Sequence, residues 1–154
     1  MGWSYGGYAA ARGAQRDPGL WKCAIAGAGV YDMPLMNKWD ALHLGKFNSG
    51  FQATSDNPEA ISPARNTAGK WAPILIVAGE RDARIPMEQS KTLVSNLRRS
   101  GKVEGTDFRY IVQPKGTHNL PYDDVHIQWI DEALAWLTRF NPAYVAGDSD
   151  KPVG

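Results

Sequence analysis

Ser4 stands between two glycines in Gly2-Trp3-Ser4-Tyr5-Gly6-Gly7-Tyr8. That G-x-S-x-G spacing is the pattern of a sharp strand-to-helix turn that presents a serine hydroxyl as a nucleophile. A serine hydroxyl attacks an acyl carbon only when a base takes its proton, so an imidazole must lie within hydrogen-bond reach. A carboxylate must in turn hold that imidazole in the right tautomer and stabilise the imidazolium that forms. His118 shares a loop with Gly116 and Thr117 just after the apolar run 108–112, and Asp82 comes four residues after the run 74–78. Ser, Asp and His in that chain order, the last two just past strand-like runs, assign the roles. Ser4 is the nucleophile, His118 the general base and then acid, and Asp82 the orienting carboxylate. The backbone N–H of Tyr5, the residue after the nucleophile, is one donor of an oxyanion hole.

Other residues compete for these roles. Alone, the serine motif reads equally well as a helix-capping serine. The alanine-rich segment after Ser4 favours the nucleophile, because a helix N-terminus stabilises developing negative charge. His126 lies inside a long amphipathic run and His43 follows no clear strand, so His118 is preferred. Glu80 is a rival to Asp82 for the orienting role, whereas Asp123 and Asp124 open a helix and serve its dipole. Tyr5, with Val30 and Tyr31 at the end of the first strand-like run, is expected to wall an apolar substrate pocket beside Ser4. The remaining tryptophans and tyrosines are read as core. No cluster of cysteine or histidine has metal-ligand spacing, no glycine loop of the phosphate-binding type appears, and no cofactor is expected.

The elements that must position these residues show as local patterns. Residues 5–16 are a helix that stops at Asp17-Pro18-Gly19. Its Gly6, Gly7 and Gly13 are poor helix formers, so packing must stabilise it. Residues 23–30 read as a short buried strand, 32–44 as helical and 46–57 as a loop, and Pro58 opens a helical turn closed by Ile61-Ser62-Pro63. The run Ile74-Leu75-Ile76-Val77-Ala78 suits a parallel strand covered on both faces. Residues 87–100 have helical spacing and end at Gly101, and 108–112 form another strand. Residues 122–140 are the strongest amphipathic helix, with Val125, Trp129, Ala133, Trp136 or Leu137, and Phe140 on one side. Strands alternating with helices make an α/β fold of about three parallel strands with right-handed crossovers. Chemistry in such a sheet gathers at the carboxyl ends of the strands.

Composition removes other classes of function. A formal net charge of +1 over 154 residues leaves no footprint for nucleic acid or an anionic membrane, and no apolar run reaches a membrane span. The single cysteine, Cys23, excludes an internal disulfide and is read as buried filling. The start of the chain carries no basic segment followed by an apolar one, and the compartment stays open.

The motif Gly2-Trp3-Ser4-Tyr5-Gly6-Gly7-Tyr8 closely resembles the nucleophile motif of the prolyl oligopeptidase family of serine peptidases, including its dipeptidyl peptidase and acylaminoacyl peptidase branches. The likeness continues through Ile61-Ser62-Pro63, the stretch from Ala72 to Asp82, Arg84-Ile85-Pro86, Gln89-Ser90 and Gly116-Thr117-His118. The resemblance implies the C-terminal portion of an α/β-hydrolase fold over residues 1–140, followed by a loose tail over 141–154. It implies cleavage of peptide bonds in short peptides, and it places the same triad on Ser4, Asp82 and His118. Ala78 departs from the histidine that many members have there, and Arg12, Gln15 and Arg16 make the helix after the nucleophile unusually polar. The resemblance also implies that strands and an oxyanion donor ahead of Gly2 are missing. The expected partner is therefore a small peptide, with the N-terminal part of the same enzyme as a second. An elbow without its leading strand is expected not to hold Ser4 against His118, leaving the isolated chain inactive. Two alternatives share the residues: an esterase or lipase with the same triad, and a non-catalytic remnant or interaction fragment.

Overall fold

A computed structural model describes residues 1–43, 56–120 and 122–142. The elements run β1 (Gly2–Trp3), α1 (Tyr5–Arg16), β2 (Ala24–Gly27), α2 (Met33–His43), a 3₁₀ turn (Pro63–Arg65), β3 (Ile74–Gly79), α3 (Glu88–Arg99), β4 (Phe108–Gln113) and α4 (Asp123–Phe140). The strands form one four-stranded sheet in the order β1-β2-β3-β4, and every pairing is parallel. Parallel neighbours need crossover connections, and the segments containing α1, α2 and α3 supply them.

One strand more than expected is present. The two residues before Ser4 pair with β2, Gly2 opposite Ala26 and Trp3 opposite Gly27, so the elbow has a short leading strand after all. Strand β2 is shorter than the expected 23–30. It ends at Gly27 because Ala28 turns to a φ of 43° and sends its N–H to the carbonyl of Val77 on β3. The predicted loop 46–57 lies outside the described residues except for Asp56 and Asn57, and the tail beyond residue 142 lies outside them too. The turn at Pro58 continues to Ile61 and leads into the 3₁₀ turn.

Side chains of a strand alternate between the faces of a sheet, and this alternation divides the core. Ala24, Ala26, Ile74, Ile76 and Phe108 pack with Ala11 and Ala14 of α1 and Leu93, Val94 and Leu97 of α3. Ile25, Leu75 and Val77 face the other way, onto Trp129, Ala133 and Trp136 of α4. Strand β3 is buried along its whole length, and each of its large side chains contributes about 1.5–3 kcal/mol of apolar burial. The buried side of α1 is made of Gly7, Ala11 and Ala14, which explains the glycine at position 7. A Cβ on Gly7 would clash with the carbonyl of Gly27, so a glycine there lets helix and sheet meet closely. Arg12 and Gln15 hydrogen-bond to each other, which partners the polar positions that looked out of place. A third cluster under α2 joins Val30, Met33, Met36 and Ile85. Cys23 is half-buried against the α4 side rather than fully enclosed.

Candidate active site

The carboxyl edge of the sheet is where β1, β3 and β4 release the three residues singled out above. At the end of β1 the chain reverses into α1 through Ser4, whose φ of 57° and ψ of −117° lie in the region that favours glycine. A side chain held there costs on the order of 1–3 kcal/mol, so neighbouring contacts must enforce it. The Ser4 N–H donates to the carbonyl of Gly27 at 2.9 Å, and the Ser4 carbonyl accepts from Tyr8 N–H at 3.1 Å. A Cβ on Gly2 would clash with the backbone of Gly6, so the first motif glycine is required by the tightness of the turn.

The loops carrying Asp82 and His118 are pressed together at their roots. A Cβ on Gly116 would stand 2.8 Å from the Cα of Gly79, and the Arg81 N–H donates to the Gly116 carbonyl at 2.9 Å. Asp82 is buried, and its Oδ1 accepts the backbone N–H groups of Arg84 and Ile85, both at 2.8 Å. Its Oδ2 is thereby aimed at His118 Nδ1, 2.8 Å away, while His118 Nε2 lies 3.0 Å from Ser4 Oγ. A carboxylate can only accept, so the network assigns the ring proton to Nδ1 and leaves Nε2 as the acceptor for the serine hydroxyl. The structure therefore brings Ser4, Asp82 and His118 into one hydrogen-bonded relay. The expectation that a truncated elbow cannot hold Ser4 against His118 does not describe this geometry. Pairing of β1 with β2 keeps the turn in place.

The rivals are elsewhere. Glu80 is exposed, with its N–H spent on the Gln113 carbonyl. His43 closes α2, stacked on Trp39 with ring centroids 3.7 Å apart, and His126 is exposed on α4. Tyr5 begins α1 and is exposed, its ring 5.7 Å from that of Tyr8, which leaves it beside the serine and accessible.

Val30 and Tyr31 are enclosed rather than set in an open pocket beside Ser4, and Tyr31 lines only a small cavity of about 10 Å³ that also touches Asp82 and Ile85. Val30 is fully buried under α2, and Tyr31 is buried with its hydroxyl donating to the Ala26 carbonyl at 3.1 Å. Burial pushes the Tyr31 phenol far above its ordinary range, opposed by the hydrogen bond from Gly29 N–H. The chain turns inward at Ala28, so residues placed at the strand end by a longer β2 fall into the core instead.

Two residues given no role at the site support it, and a third, Gln89, braces the connection from β2 to α2. Trp3 donates its Nε1–H to the carbonyl of His118 at 2.8 Å. Arg84 gives its backbone N–H to Asp82 and its Nη1 to the fully buried Asp40 at 2.8 Å, tying the Asp82 loop to α2. Gln89 of α3 accepts from the backbone N–H groups of Tyr31 and Asp32 at 2.8 and 2.7 Å. The sequence signals for Trp3 and Arg84 are adjacency, one residue before Ser4 and two after Asp82, and their place in the motifs that carry the family resemblance. Among the described residues no group of three or more His, Cys, Asp or Glu side chains is arranged to hold a metal ion, and no helix is long and apolar enough to cross a membrane. An open groove of about 450 Å³ runs along α4 beside Ile127 and Ile130, and another of about 360 Å³ lies beside α1 at Trp21 and Cys23. Neither includes Ser4, Asp82 or His118.

Comparison with known proteins agrees with this architecture. The sequence profile of the prolyl oligopeptidase family matches residues 1–141. Dipeptidyl peptidase family member 2 of Caenorhabditis elegans is 30% identical over 129 residues, a stretch covering 82% of this chain and 15% of that protein. Among solved structures, Pyrococcus horikoshii acylaminoacyl peptidase superposes with a TM-score of 0.75 at 23% identity, covering 95% of this chain and 24% of the other. Porphyromonas gingivalis dipeptidyl peptidase 4 superposes at 0.73 and 19% identity, covering 90% and 19%. The chain thus spans a quarter or less of the length of each of these relatives.

Proposed function

The chain belongs to the prolyl oligopeptidase family, and from that premise we propose that it carries the catalytic residues of a serine peptidase acting on short peptides. The observation that supports this most is the continuous relay from Asp82 through His118 to Ser4, at 2.8 and 3.0 Å. Ser4 Oγ attacks the scissile carbonyl carbon while His118 Nε2 takes the hydroxyl proton. The carbonyl π electrons move onto oxygen, and the backbone N–H of Tyr5 is assigned to receive that oxyanion. The C–N bond then breaks, His118 returns its proton to the leaving amine, and an acyl-enzyme on Ser4 remains. A water attacks the ester with His118 again as base, releasing the acid and restoring the serine. Asp82 stays ionised throughout and stabilises the imidazolium, its second oxygen held by two backbone amides. Neither open groove described on this chain includes the triad, so for the 154-residue chain by itself peptide turnover is slow even though the nucleophile is assembled.

A fluorophosphonate probe tests the assignment. Attack by Ser4 on phosphorus expels fluoride and leaves a stable adduct, so intact-mass and peptide mapping should place one label on Ser4. Ser4→Ala should abolish it, and labelling that survives in that variant refutes the nucleophile. Comparing a peptide anilide with a short acyl ester separates a peptidase from an esterase with the same triad. Rapid peptide hydrolysis by the purified 154-residue chain would contradict the slow turnover proposed for it.

A further inference from the structure

We propose that Trp3 is a positioning residue for the general base, using its indole N–H to hold the backbone of His118 at the distance the serine requires. This rests on the roles given above to Ser4 and His118. The two ring hydrogen bonds of His118 settle which way the imidazole points, but neither locates the backbone that carries it. That backbone sits in a loop whose Leu120 has a φ of 49° and a long Leu120 N–H to Thr117 carbonyl contact of 3.4 Å. Trp3 Nε1 reaches into this loop and donates to the His118 carbonyl at 2.8 Å, across 115 residues of sequence.

The indole is itself well anchored. Its ring lies over Gly27, where a Cβ would clash with it, and meets Trp129 edge-on with centroids 5.1 Å apart and an interplanar angle of 73°. Strand β2 below, α4 beside and the β1 backbone behind thus fix the donor. Because Trp3 directly precedes Ser4, one rigid side chain references the base to the nucleophile. A simpler reading is that a half-buried indole N–H has merely found an acceptor. This fold does not demand that, since Trp71 and Trp136 bury their Nε1 atoms with no hydrogen-bond partner among the described residues. The acceptor chosen by Trp3 is the backbone of the one histidine that faces the serine.

Trp3→Phe keeps an aromatic ring over Gly27 and deletes the donor. Two readouts follow in the 154-residue protein. The first is the ring nitrogen signals of His118 by nitrogen–proton NMR, with the exposed His126 as internal reference. They are expected to move from a fixed Nδ1–H tautomer toward the averaged signals of His126. The second is the fluorophosphonate rate at Ser4, which is expected to fall by about 10²-fold, the penalty typical of a misplacement near 1 Å. Trp129→Phe disturbs the same ring pair without touching the donor and is expected to leave the His118 signals in place. Should Trp3→Phe fail to fold, benzothienylalanine at position 3 removes the N–H while keeping the shape of the indole. Unmoved His118 signals in either folded form overturn the proposal, and so does an equal shift in Trp129→Phe. A wild-type chain that takes no label defeats the peptidase reading alone, because the NMR comparison decides the role of Trp3 without any turnover.

Discussion

Replacing Ser4 by glycine and by alanine separates the cost of the elbow from its chemistry. Both variants lose the hydroxyl and its 3.0 Å contact with His118 Nε2, so that term cancels in their comparison. What differs is the backbone at a φ of 57° and ψ of −117°. Alanine at that conformation retains strain of on the order of 1–3 kcal/mol, which glycine does not feel. Glycine in turn loses more freedom on folding, a penalty of about 0.4–1 kcal/mol. The net expectation is that Ser4→Gly is more stable than Ser4→Ala by about 1–2 kcal/mol, or several degrees in Tm for a chain of this size. Equilibrium unfolding in urea, followed by tryptophan fluorescence, measures the difference directly. Neither variant should take a fluorophosphonate label. A glycine variant no more stable than the alanine one would refute the claim that the turn is held against the intrinsic preference of the serine backbone.

Two further outcomes follow from the same contacts. Asp82→Asn keeps the shape but offers His118 Nδ1 an amide that can donate, so the wrong tautomer becomes available, and labelling at Ser4 should slow by up to about 10⁴-fold with the fold intact. Burial raises the Cys23 thiol above its ordinary value of 9.0, opposed by the nearby chain amino terminus. Iodoacetamide should therefore alkylate Cys23 more slowly in the native chain than in urea at pH 8. That native preference for the neutral thiol is fully present below 9.0 and disappears as the pH rises through the folded value, so stability should decline over that alkaline range. Equal native and denatured alkylation rates would refute the burial of the thiol.

Much of this molecule was legible in local pattern. The runs 74–78 and 108–112 became β3 and β4 with a residue added at the end, and the helix expected over 122–140 became Asp123–Phe140. Such elements follow from side-chain periodicity, which is written in consecutive residues. Strand β1 has two residues and no periodicity, and it exists only because Ala26 and Gly27 lie alongside to pair with it. Val30 and Tyr31 are expected at an open pocket because they follow the first strand-like run, and nothing in that run signals that Ala28 turns the chain inward.

By itself the sequence determined the order of elements from α1 onward, the family, and the three side chains that meet at the sheet edge. It could do so because a strand end is a local event and the carboxyl edge of a parallel sheet collects those ends. Only the tertiary structure decided how the three are held. The amides of Arg84 and Ile85 on Asp82, the Gly79–Gly116 contact, the Asp40–Arg84 pair and the Trp3 indole on His118 set the distances. Apart from the two amides just beyond Asp82, these join residues tens of positions apart. Their geometry depends on how β1, β3, β4 and α2 are packed, which no single stretch of the chain encodes.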